Sequence, residues 1–264
     1  MQTLKDKKIW ITGASSGIGE ALALELARAG AHLVLMSRNR DRLEQVRKAC
    51  LEYTSVCLVQ PLDLSRPDTM DEMVTRAMKQ MGGIDILINN AGQSQRSLAK
   101  ETPVDIDRKI MEVNFFGVIK LTKLLLPYML KQGSGHIVAV SSITGKFGFP
   151  WRTAYSAAKH AVQGFFESLR AELKEDNIKV TIVSPGRIKT NISLNAITGS
   201  GTPYNKMDSG QAGGMLPEHC ARKIVKSIRQ ERKEVLVGNQ ELLMVYIHRF
   251  WPGLYHRLVT KINN

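Results

Sequence analysis

The sequence predicts an α/β fold, in which a doubly wound parallel sheet of seven strands carries helices on both faces. Three observations lead to this fold class. Apolar strand-like runs alternate with amphipathic helical stretches, as in βαβ units. The chain has 264 residues, 43% of them hydrophobic, which is enough for one large core. A glycine-rich turn joins the first strand-like run to the first helical stretch.

Seven segments have the apolar character of strands, and the gaps between them have helical periodicity. In the second gap, Asn39 offers an oxygen that can cap a helix, and Leu43, Val46 and Cys50 recur on one face of that helix. The predicted strands are residues 8–12, 32–37, 56–60, 84–88, 136–141, 179–183 and 234–237.

Two regions depart from this alternation. Residues 187–216 are rich in Gly, Ser, Thr and Asn, and they are too many for a simple connection, so we predict a mobile loop that covers a binding site. Residues 240–264 combine apolar, aromatic and basic side chains, and we predict that they form a helical tail. The chain therefore divides into a main domain, residues 1–239, and a C-terminal tail, residues 240–264.

The formal net charge of +13 suggests an anionic partner: nucleic acid, a membrane surface or a small anionic molecule. Part of the excess falls on one predicted helix, where Arg222, Lys226, Arg229 and Lys233 recur at helical spacing. A solvated helix face explains this stripe equally well. Because no aromatic platform or nucleic-acid module accompanies it, we do not expect nucleic acid as a partner.

The sequence favours a cytoplasmic protein. No window has 18 or more uncharged apolar residues, and residues 1–8 lack the apolar run of a signal peptide. The three cysteines, Cys50, Cys57 and Cys220, are odd in number and lack the spacing of metal ligands. We therefore expect reduced, buried thiols and no metal site.

The turn TGASSGIG occupies residues 12–19 and leads into a helical stretch that ends near Gly30. Glycines let the backbone approach a pyrophosphate, whose charge is met by N–H groups at the start of a helix. With the strand before it and the helix after it, the turn predicts a Rossmann-type dinucleotide site rather than a purely structural turn. The predicted contacts are Gly13, Ser15, Ser16, Gly17, Ile18 and Gly19.

The second predicted strand ends at Ser37, followed by Arg38, where dinucleotide folds that prefer NAD often carry an acid. An arginine can bind a ribose phosphate through two N–H groups, whereas an acid would repel it. The sequence therefore favours NADP(H) over NAD(H), with Ser15, Ser37 and Arg42 beside Arg38. The alternative is that Arg38 and Arg42 are ordinary surface charges.

Tyr155 and Lys159 lie four residues apart in a predicted helix, so their side chains project from one face. A free tyrosine loses its proton only near pH 10, and a positive charge beside it lowers that pKa. Such a tyrosine can exchange protons with an alcohol or a ketone. Taken alone, the pair is also common on ordinary helix surfaces, so its meaning depends on the motifs around it.

With the glycine turn and the tyrosine and lysine pair, the chain resembles the short-chain dehydrogenase/reductase family. The segment NNAG at residues 89–92 looks like the motif that family members carry beside the cofactor. The resemblance extends over roughly residues 7–237, so it implies that residues 1–239 bind NAD(P). The further cofactor contacts that it implies are Asp63, Asn90, Ala91, Gly92, Tyr155, Lys159, Pro185, Gly186 and Thr190.

The resemblance also implies a catalytic tetrad of Asn114, Ser142, Tyr155 and Lys159. Ser142, 13 residues before Tyr155, fits the family better than its neighbour Ser141. By this match Tyr155 is the acid and base, and Ser142 holds the substrate oxygen. Lys159 lowers the tyrosine pKa and binds the cofactor ribose, and Asn114 holds a water that relays protons. The hydride comes from the cofactor.

The predicted substrate is a hydrophobic or amphipathic ketone, similar to those of the hydroxysteroid-dehydrogenase-like and lipid-ketone-reducing branch of the family. The residues expected around its carbonyl mix apolar side chains with few polar ones, although the aromatic members could equally be packing residues. They are Gln93, Ser94, Ile143, Phe147, Phe149, Trp151 and the loop 187–216. The predicted direct contacts are Gln93, Ser142, Phe149 and Tyr155.

Two other functions use the same fold. A non-catalytic NADP(H) sensor that binds a protein partner has no need of a complete tetrad, and all four positions are occupied here. A sugar epimerase or dehydratase is disfavoured by the glycine spacing and the short C-terminal part. Family members commonly pair through the helices that hold Asn114 and Tyr155, so the resemblance implies a homodimer or homotetramer.

The tail permits peripheral contact with an anionic membrane. Trp251 and Leu254 would enter the surface, and Arg249, Arg257 and Lys261 would meet headgroups. Packing of the tail on its own core or across a subunit interface is equally consistent with the sequence.

Overall fold

A sheet of seven parallel strands forms the centre of the computed structural model, which describes residues 2–262. The strands are β1 (Lys8–Thr12), β2 (His32–Ser37), β3 (Cys57–Pro61), β4 (Ile86–Asn89), β5 (Gly135–Val140), β6 (Ile178–Pro185) and β7 (Glu234–Val237). Their order across the sheet is β3-β2-β1-β4-β5-β6-β7. The predicted fold class is confirmed, and each predicted strand is present with bounds right to within about two residues.

Helices connect the strands and cover both faces of the sheet. They are α1 (Gly17–Arg28), α2 (Arg40–Cys50), α3 (Met70–Met81), α4 (Val104–Met111), α5 (Gly117–Gln132), α6 (Thr153–Glu172), α7 (Ser209–Ala212), α8 (Pro217–Arg229), α9 (Leu243–Phe250) and α10 (Pro252–Val259). A π-helical turn, Glu112–Phe116, joins α4 to α5. As predicted, the Asn39 side chain caps α2 by accepting a hydrogen bond from the backbone N–H of Arg42.

The side chains of β1 show why the sheet is covered on both faces. Ile9 and Ile11 belong to one buried cluster, which includes side chains of α1 and α8. Trp10, between them, belongs to a second cluster on the other face, with side chains of α3, α5 and α6. Because alternate residues of a strand point to opposite faces, this apolar run is buried on both sides, as parallel sheets require.

The order of strands reverses direction at β1. The chain passes from β1 outward to β2 and β3, and then returns to β4 on the other side of β1. The registers that pair Ile11 with Leu35 and with Ile88 bring the carboxyl ends of β2, β1 and β4 to one edge. In doubly wound sheets, ligands bind in the crevice outside the carboxyl ends at this point.

The basic stripe lies on the exposed side of α8. Arg222 and Lys226 are exposed, whereas Ile224 and Ile228 are fully buried on the opposite side of the helix. The helix ends at Arg229, so Lys233 lies beyond it, which corrects the predicted stripe. The chain turns there to enter β7. A solvated face therefore accounts for these charges.

One helical stretch among residues 2–262, Val104–Gln132, is long and apolar enough to cross a membrane by length and composition alone. The prediction of no membrane span considered only windows without charged residues, and this stretch contains Lys120 and Lys123. In the fold the stretch packs on the sheet, and its side chains Leu121, Leu125 and Met129 are fully buried. It is a core element of the domain in this structure.

The tail forms α9 and α10, and one side of it packs on the main domain. The Tyr255 ring lies 5.6 Å from the Phe147 ring, centre to centre, and its hydroxyl donates to the carbonyl oxygen of Gly148. Both side chains are nearly fully buried. Other large apolar side chains of the tail are exposed: Leu243, Tyr246, Phe250, Trp251 and Leu254. The tail thus has a packed side and an exposed apolar side.

Residues 187–216 lie along one edge of the sheet with little regular structure beyond α7. An isolated bridge between Ile188 and Met215 joins the two ends of the loop, and a second one, between Ile197 and Gln95, ties its middle to the segment after β4. The mobility of this loop stays a prediction.

His136 in β5 is a buried histidine that forms no ion pair with a carboxylate among residues 2–262. Its ring lies 2.8 Å from the Thr181 hydroxyl, measured from Nε2 to Oγ1, and its Nδ1 is buried without a partner in the described part of the chain. Burial, together with the positive charge of Lys179, lowers its pKa to about 4. The folded protein therefore holds His136 neutral at a pH where an unfolded histidine is charged.

We predict that His136 makes the protein less stable in mild acid. Below the ordinary histidine pKa, the unfolded chain binds a proton that the fold rejects, so the free energy of unfolding falls as the pH drops from about 6.5 to about 4. At pH 5 this loss is about 2 kcal/mol. Urea unfolding of wild type and His136→Gln at pH 7 and pH 5 measures it, since the variant should lose about 2 kcal/mol less than wild type.

The exposed His219 provides the matched control, because His219→Gln should lose as much stability as wild type between the two pH values. An equal loss in the His136 variant and wild type would show that burial of His136 does not destabilise its charged form.

Candidate active site

A cavity of about 900 Å³ opens at the carboxyl ends of the central strands. Segments that are far apart in sequence line it, among them the glycine turn, the NNAG segment, the start of α6 and the loop after β6. The predicted site residues that line it are Gly13, Ser15, Ser16, Gly17, Ile18, Ser37, Arg38, Arg42, Asp63, Asn90, Ala91, Gly92, Gln93, Ser142, Phe149, Tyr155, Lys159, Pro185, Gly186 and Thr190. Two predicted residues, Gly19 and Asn114, lie behind the wall.

The glycine turn has the geometry that a bound pyrophosphate needs. Gly13 and Gly17 have φ of 67° and 58°, in the left-handed region that favours glycine. A Cβ atom on Gly19 would lie 2.1 Å from the carbonyl oxygen of Gly13, so only glycine lets the helix start this close to the strand. The turn thus leaves the backbone uncovered at the N-terminus of α1, where anions bind.

Hydrogen bonds join the glycine turn to the NNAG segment. The Thr12 hydroxyl accepts from the backbone N–H groups of Asn90 (2.9 Å) and Ala91 (3.0 Å). In return, the Asn90 side chain donates to the carbonyl oxygen of Thr12 at 2.9 Å. The two segments therefore form one rigid wall of the cavity.

Polar side chains surround the end of the cavity beyond β2. Ser37 and Arg38 follow one another there, and the Arg38 side chain is exposed. Arg42 donates to Gln45 and lies 3.7 Å from a carboxylate oxygen of Glu20. Arg38 has no ion-pair partner among the carboxylates of residues 2–262. It remains available for an anion of the cofactor.

The opposite end of the cavity holds Tyr155 and Ser142. Tyr155 lies in the first turn of α6 and is 7% exposed. The start of this helix is held by Gln95, whose side-chain oxygen accepts from the backbone N–H of Ala154 at 2.9 Å. Ser141 and Ser142 both line the cavity, but the Ser141 hydroxyl donates to the carbonyl oxygen of Lys159, whereas the Ser142 hydroxyl bonds with Tyr155.

Lys159 is buried one helical turn after Tyr155. Its ammonium donates to the carbonyl oxygen of Val140 at 3.0 Å and lies 5.7 Å from the centre of the Tyr155 ring. Burial lowers its pKa to about 8. The lysine therefore keeps most of its charge at neutral pH and holds it beneath the tyrosine.

Asn114 lies in the π-helical turn between α4 and α5 and is fully buried. Its side-chain oxygen accepts from the backbone N–H of Gln93, and its nitrogen donates to the carbonyl oxygens of Gln93 and Ile110. A Cβ on Gly92 would lie 2.8 Å from the Asn114 oxygen and 3.4 Å from the Lys159 nitrogen. Asn114 thus lies behind the NNAG segment, near the lysine.

Residues 7–199 match the family model of the short chain dehydrogenases. A dehydrogenase/reductase SDR family protein 7-like of Anopheles gambiae is 48% identical over 264 residues, which cover 98% of this chain and 83% of that protein. The dehydrogenase/reductase SDR family member 7B of Mus musculus is 42% identical over 263 residues, covering 98% and 81%.

The chain belongs to the short-chain dehydrogenase/reductase family. It is accordingly an oxidoreductase that acts on CH–OH groups and binds NAD(P). A solved short-chain dehydrogenase/reductase from Burkholderia phymatum, in complex with NAD, has the same fold, with a TM-score of 0.85 at 22% identity over 96% of each chain. The assembly state and the cytoplasmic location of the present chain stay predictions.

Opposing effects set the acid strength of Tyr155 in this short-chain dehydrogenase/reductase. Burial raises the pKa of Tyr155, while the Ser142 hydroxyl and the charges of Arg152 and Arg96 lower it. That Lys159 also lowers the tyrosine pKa stays a prediction. The predicted pair has the expected spacing, and two arginines that the prediction did not include add positive charge near the tyrosine.

The substrate end contains fewer of the predicted aromatic side chains than expected. Phe149 lines the cavity, but Phe147 is 1% exposed and packs against Tyr255 of the tail. Trp151 also lies outside the lining and has φ of 66°, where the chain turns into α6.

Three charged side chains that the sequence analysis did not single out line this end: Arg96, Arg152 and Asp208. The sequence could have indicated one of them. Arg152 precedes Tyr155 by three residues, so at the start of a helix its side chain lies near the tyrosine.

Proposed function

We propose that the chain is an NADP(H)-dependent oxidoreductase that interconverts a secondary alcohol and a hydrophobic or amphipathic ketone. One observation carries this proposal: Tyr155, Ser142 and Lys159 share one continuous cavity with the glycine turn. The lining beside them includes the apolar side chains of Ile143 and Phe149. The cavity therefore has room for a dinucleotide along the glycine turn and for a carbonyl compound at Tyr155.

The roles follow from the positions of the side chains. In ketone reduction, Tyr155 would donate its hydroxyl proton to the substrate oxygen while Ser142 holds that oxygen by a second hydrogen bond. Because burial raises the pKa of Tyr155, the phenol is protonated at neutral pH, as a proton donor must be. The bound cofactor supplies the hydride to the carbonyl carbon.

Lys159 and Asn114 would support this step. The Lys159 ammonium lies on the side of the Tyr155 ring where it can stabilise the phenolate left by proton transfer and contact the cofactor ribose. Asn114 would hold the NNAG segment beside Lys159 through its two hydrogen bonds to Gln93 and would position a water that returns the proton.

A non-catalytic NADP(H) sensor is the alternative function. It would need the glycine turn but not the arrangement of Tyr155, Ser142 and Lys159. Turnover separates the two functions, because a sensor binds NADP(H) without oxidising it when ketones are added.

We predict that Tyr155→Phe lowers the rate of ketone reduction by about 100-fold or more, because the phenyl ring has no proton to donate. The assay follows the loss of NADPH absorbance over a panel of hydrophobic ketones. Tyr128→Phe, at an exposed position of α5, is the matched control and should keep wild-type rates. Ketone turnover that survives unchanged in Tyr155→Phe would refute the assigned role.

For the cofactor, we predict that NADP(H) binds more tightly than NAD(H) through Arg38. A guanidinium on the ribose phosphate gives charge-assisted hydrogen bonds, so Arg38→Ala should reduce the ratio of the two affinities by about 10-fold to 100-fold. Calorimetric titration of each variant with NADP and NAD measures this ratio.

Arg40→Ala provides the control. It removes the same charge from the start of α2, but Arg40 does not line the cavity. If wild type binds both cofactors equally, or if the ratio is the same in both variants, the assignment of Arg38 is wrong.

We further propose that α9 and α10 contact an anionic membrane surface. Phe250 and Trp251 are 64% and 60% exposed at the junction of these helices, although Tyr255 nearby packs on the domain. Exposed basic side chains, Arg249 and Arg257, flank the aromatic pair. Apolar side chains that enter the interface and basic ones that meet headgroups are the combination that holds a peripheral helix.

Flotation with vesicles of anionic and of neutral lipid tests the membrane proposal in the full chain. We expect Phe250→Glu with Trp251→Glu to reduce the bound fraction on anionic vesicles about 10-fold, because two large apolar side chains no longer enter the interface. Tyr128→Glu with Leu130→Glu alters a second exposed apolar pair, on α5, and should leave binding unchanged. Equal flotation of both double variants, or none with wild type, would contradict the proposal.

A further inference from the structure

Three charged side chains meet at the substrate end of the cavity: Arg96, Arg152 and Asp208. The Arg96 and Arg152 side chains are 2% and 13% exposed, and that of Asp208 is 12% exposed. Two cations and one anion leave one positive charge without compensation. Removing such a charge from water is costly unless a partner neutralises it.

Arg96 has little capacity left for another partner. Its Nε donates to Asp208, and its Nη1 donates to the Ser94 hydroxyl and the Gln95 carbonyl oxygen at 2.7 and 2.6 Å. Its Nη2 also donates to Asp208. Since a guanidinium has five N–H donors, Arg96 is almost fully bonded.

Arg152 is bonded very differently. Within residues 2–262, its one acceptor is Asp208, which Nη2 contacts at 3.0 Å. The remaining donors on Nε and Nη1 have no acceptor, although the side chain lines the cavity. Its orientation is nevertheless fixed, because the guanidinium carbon lies 4.5 Å from the centre of the Phe149 ring. The result is a positioned guanidinium with free donors.

Arg152 also stays charged in this setting. Burial and the charge of Arg96 lower its pKa to about 10, which still leaves it protonated at neutral pH. It stands one helical turn before Tyr155, at the start of α6, so a group bound to it would lie close to the reacting carbonyl.

We propose that Arg152 binds an anionic group of the substrate, a carboxylate or a phosphate, next to the carbonyl that Tyr155 protonates. The proposal rests on the proposed oxidoreductase function and names its substrate class: an amphipathic ketone with an anionic end. The anion would satisfy the free donors of Arg152 and balance the charge of the cluster. The apolar side chains of Ile143, Phe149 and Ile262, which line the same cavity, suit the rest of the substrate.

Asp208 would serve as a positioning residue. It belongs to the loop 187–216 and bonds both arginines, so it holds Arg152 in place and ties the loop over the substrate end. One carboxylate cannot neutralise two guanidiniums. A purely structural ion pair would leave no net charge, whereas this cluster keeps one positive charge that an anion can balance.

Matched ketones test the proposal in the wild-type protein. The carboxylate pair is 4-oxodecanoate and 4-oxodecanamide, and the phosphate pair is 2-oxooctyl phosphate and 1-hydroxy-2-octanone. We expect at least one charged member to exceed its neutral match in kcat/KM by about 10-fold to 100-fold, as expected for hydrogen bonds to a charged group. The pair with the larger ratio shows whether the site suits a carboxylate or a phosphate. If the neutral ketone of each pair has the same kcat/KM as its charged match, the proposal is overturned.

Variants assign the preference to Arg152. The ratio of kcat/KM between charged and neutral ketone should fall to about 3-fold or less in Arg152→Gln and should be partly kept in Arg152→Lys. Arg222→Gln removes the same charge from an exposed position of α8 and should keep the wild-type ratio. A full ratio in Arg152→Gln would overturn the assignment.

Calorimetric binding of the charged ketones to the NADP-loaded protein separates this proposal from the proposed function. If the charged ketones bind through Arg152 but no ketone is reduced, the oxidoreductase assignment fails and the anion site stands. If ketones are reduced without preference for charge, and the charged ones bind equally to wild type and Arg152→Gln, the anion site fails and the oxidoreductase assignment stands.

Discussion

Hydrogen bonds between Thr12 and Asn90 and Ala91 of the NNAG segment join the ends of β1 and β4. Both the glycine turn and the end of the cavity at Tyr155 depend on this junction. On one side, the junction fixes the glycine turn, where a Cβ on Gly13 would already touch the backbone of Ala91. On the other side, it sets the position of Gly92, against which Asn114 and Lys159 lie. The glycine turn and the proposed catalytic side chains thus share one hydrogen-bonded support, so small shifts at the strand ends would change both.

The second constraint is the start of α6, which places Arg152 and the proposed catalytic pair, Tyr155 and Lys159, within two helical turns. Gln95 caps the helix from the loop after the NNAG segment, and Arg152 is held by Asp208 from the loop after β6. Tyr155 and Lys159 follow on the same helix, and Lys159 bonds the end of β5. Two loops and a strand therefore fix the position of α6 along its axis and its rotation about that axis. This explains why the tyrosine is buried yet still reaches the cavity.

Much of the fold and of the cofactor wall could be predicted from the sequence, because both depend on local patterns. The strands follow from apolar runs, and the turn at residues 12–19 follows from its glycines. The substrate end could not be predicted in the same way. Arg96 and Asp208 are 112 residues apart, so their contact depends on how an irregular loop folds back. The sequence places Phe147 and Trp151 at the carbonyl, but Phe147 packs against Tyr255 of the tail, and Trp151, at a left-handed backbone position, lies outside the lining. Spacing also could not show that burial would raise the pKa of the tyrosine against the effects of Ser142, Arg152 and Arg96.

The charges around Tyr155 connect the proposed anion site to the direction of the reaction. Burial raises the pKa of the phenol, and the charges of Arg152 and Arg96 oppose this effect. A substrate anion bound to Arg152 would cancel part of that positive field, because opposite charges in contact largely neutralise each other at a distance. The phenol would then hold its proton more firmly when the substrate is bound than when the site contains only solvent. Since ketone reduction requires a protonated tyrosine, an anionic ketone would place the catalytic group in the state that its own reduction needs.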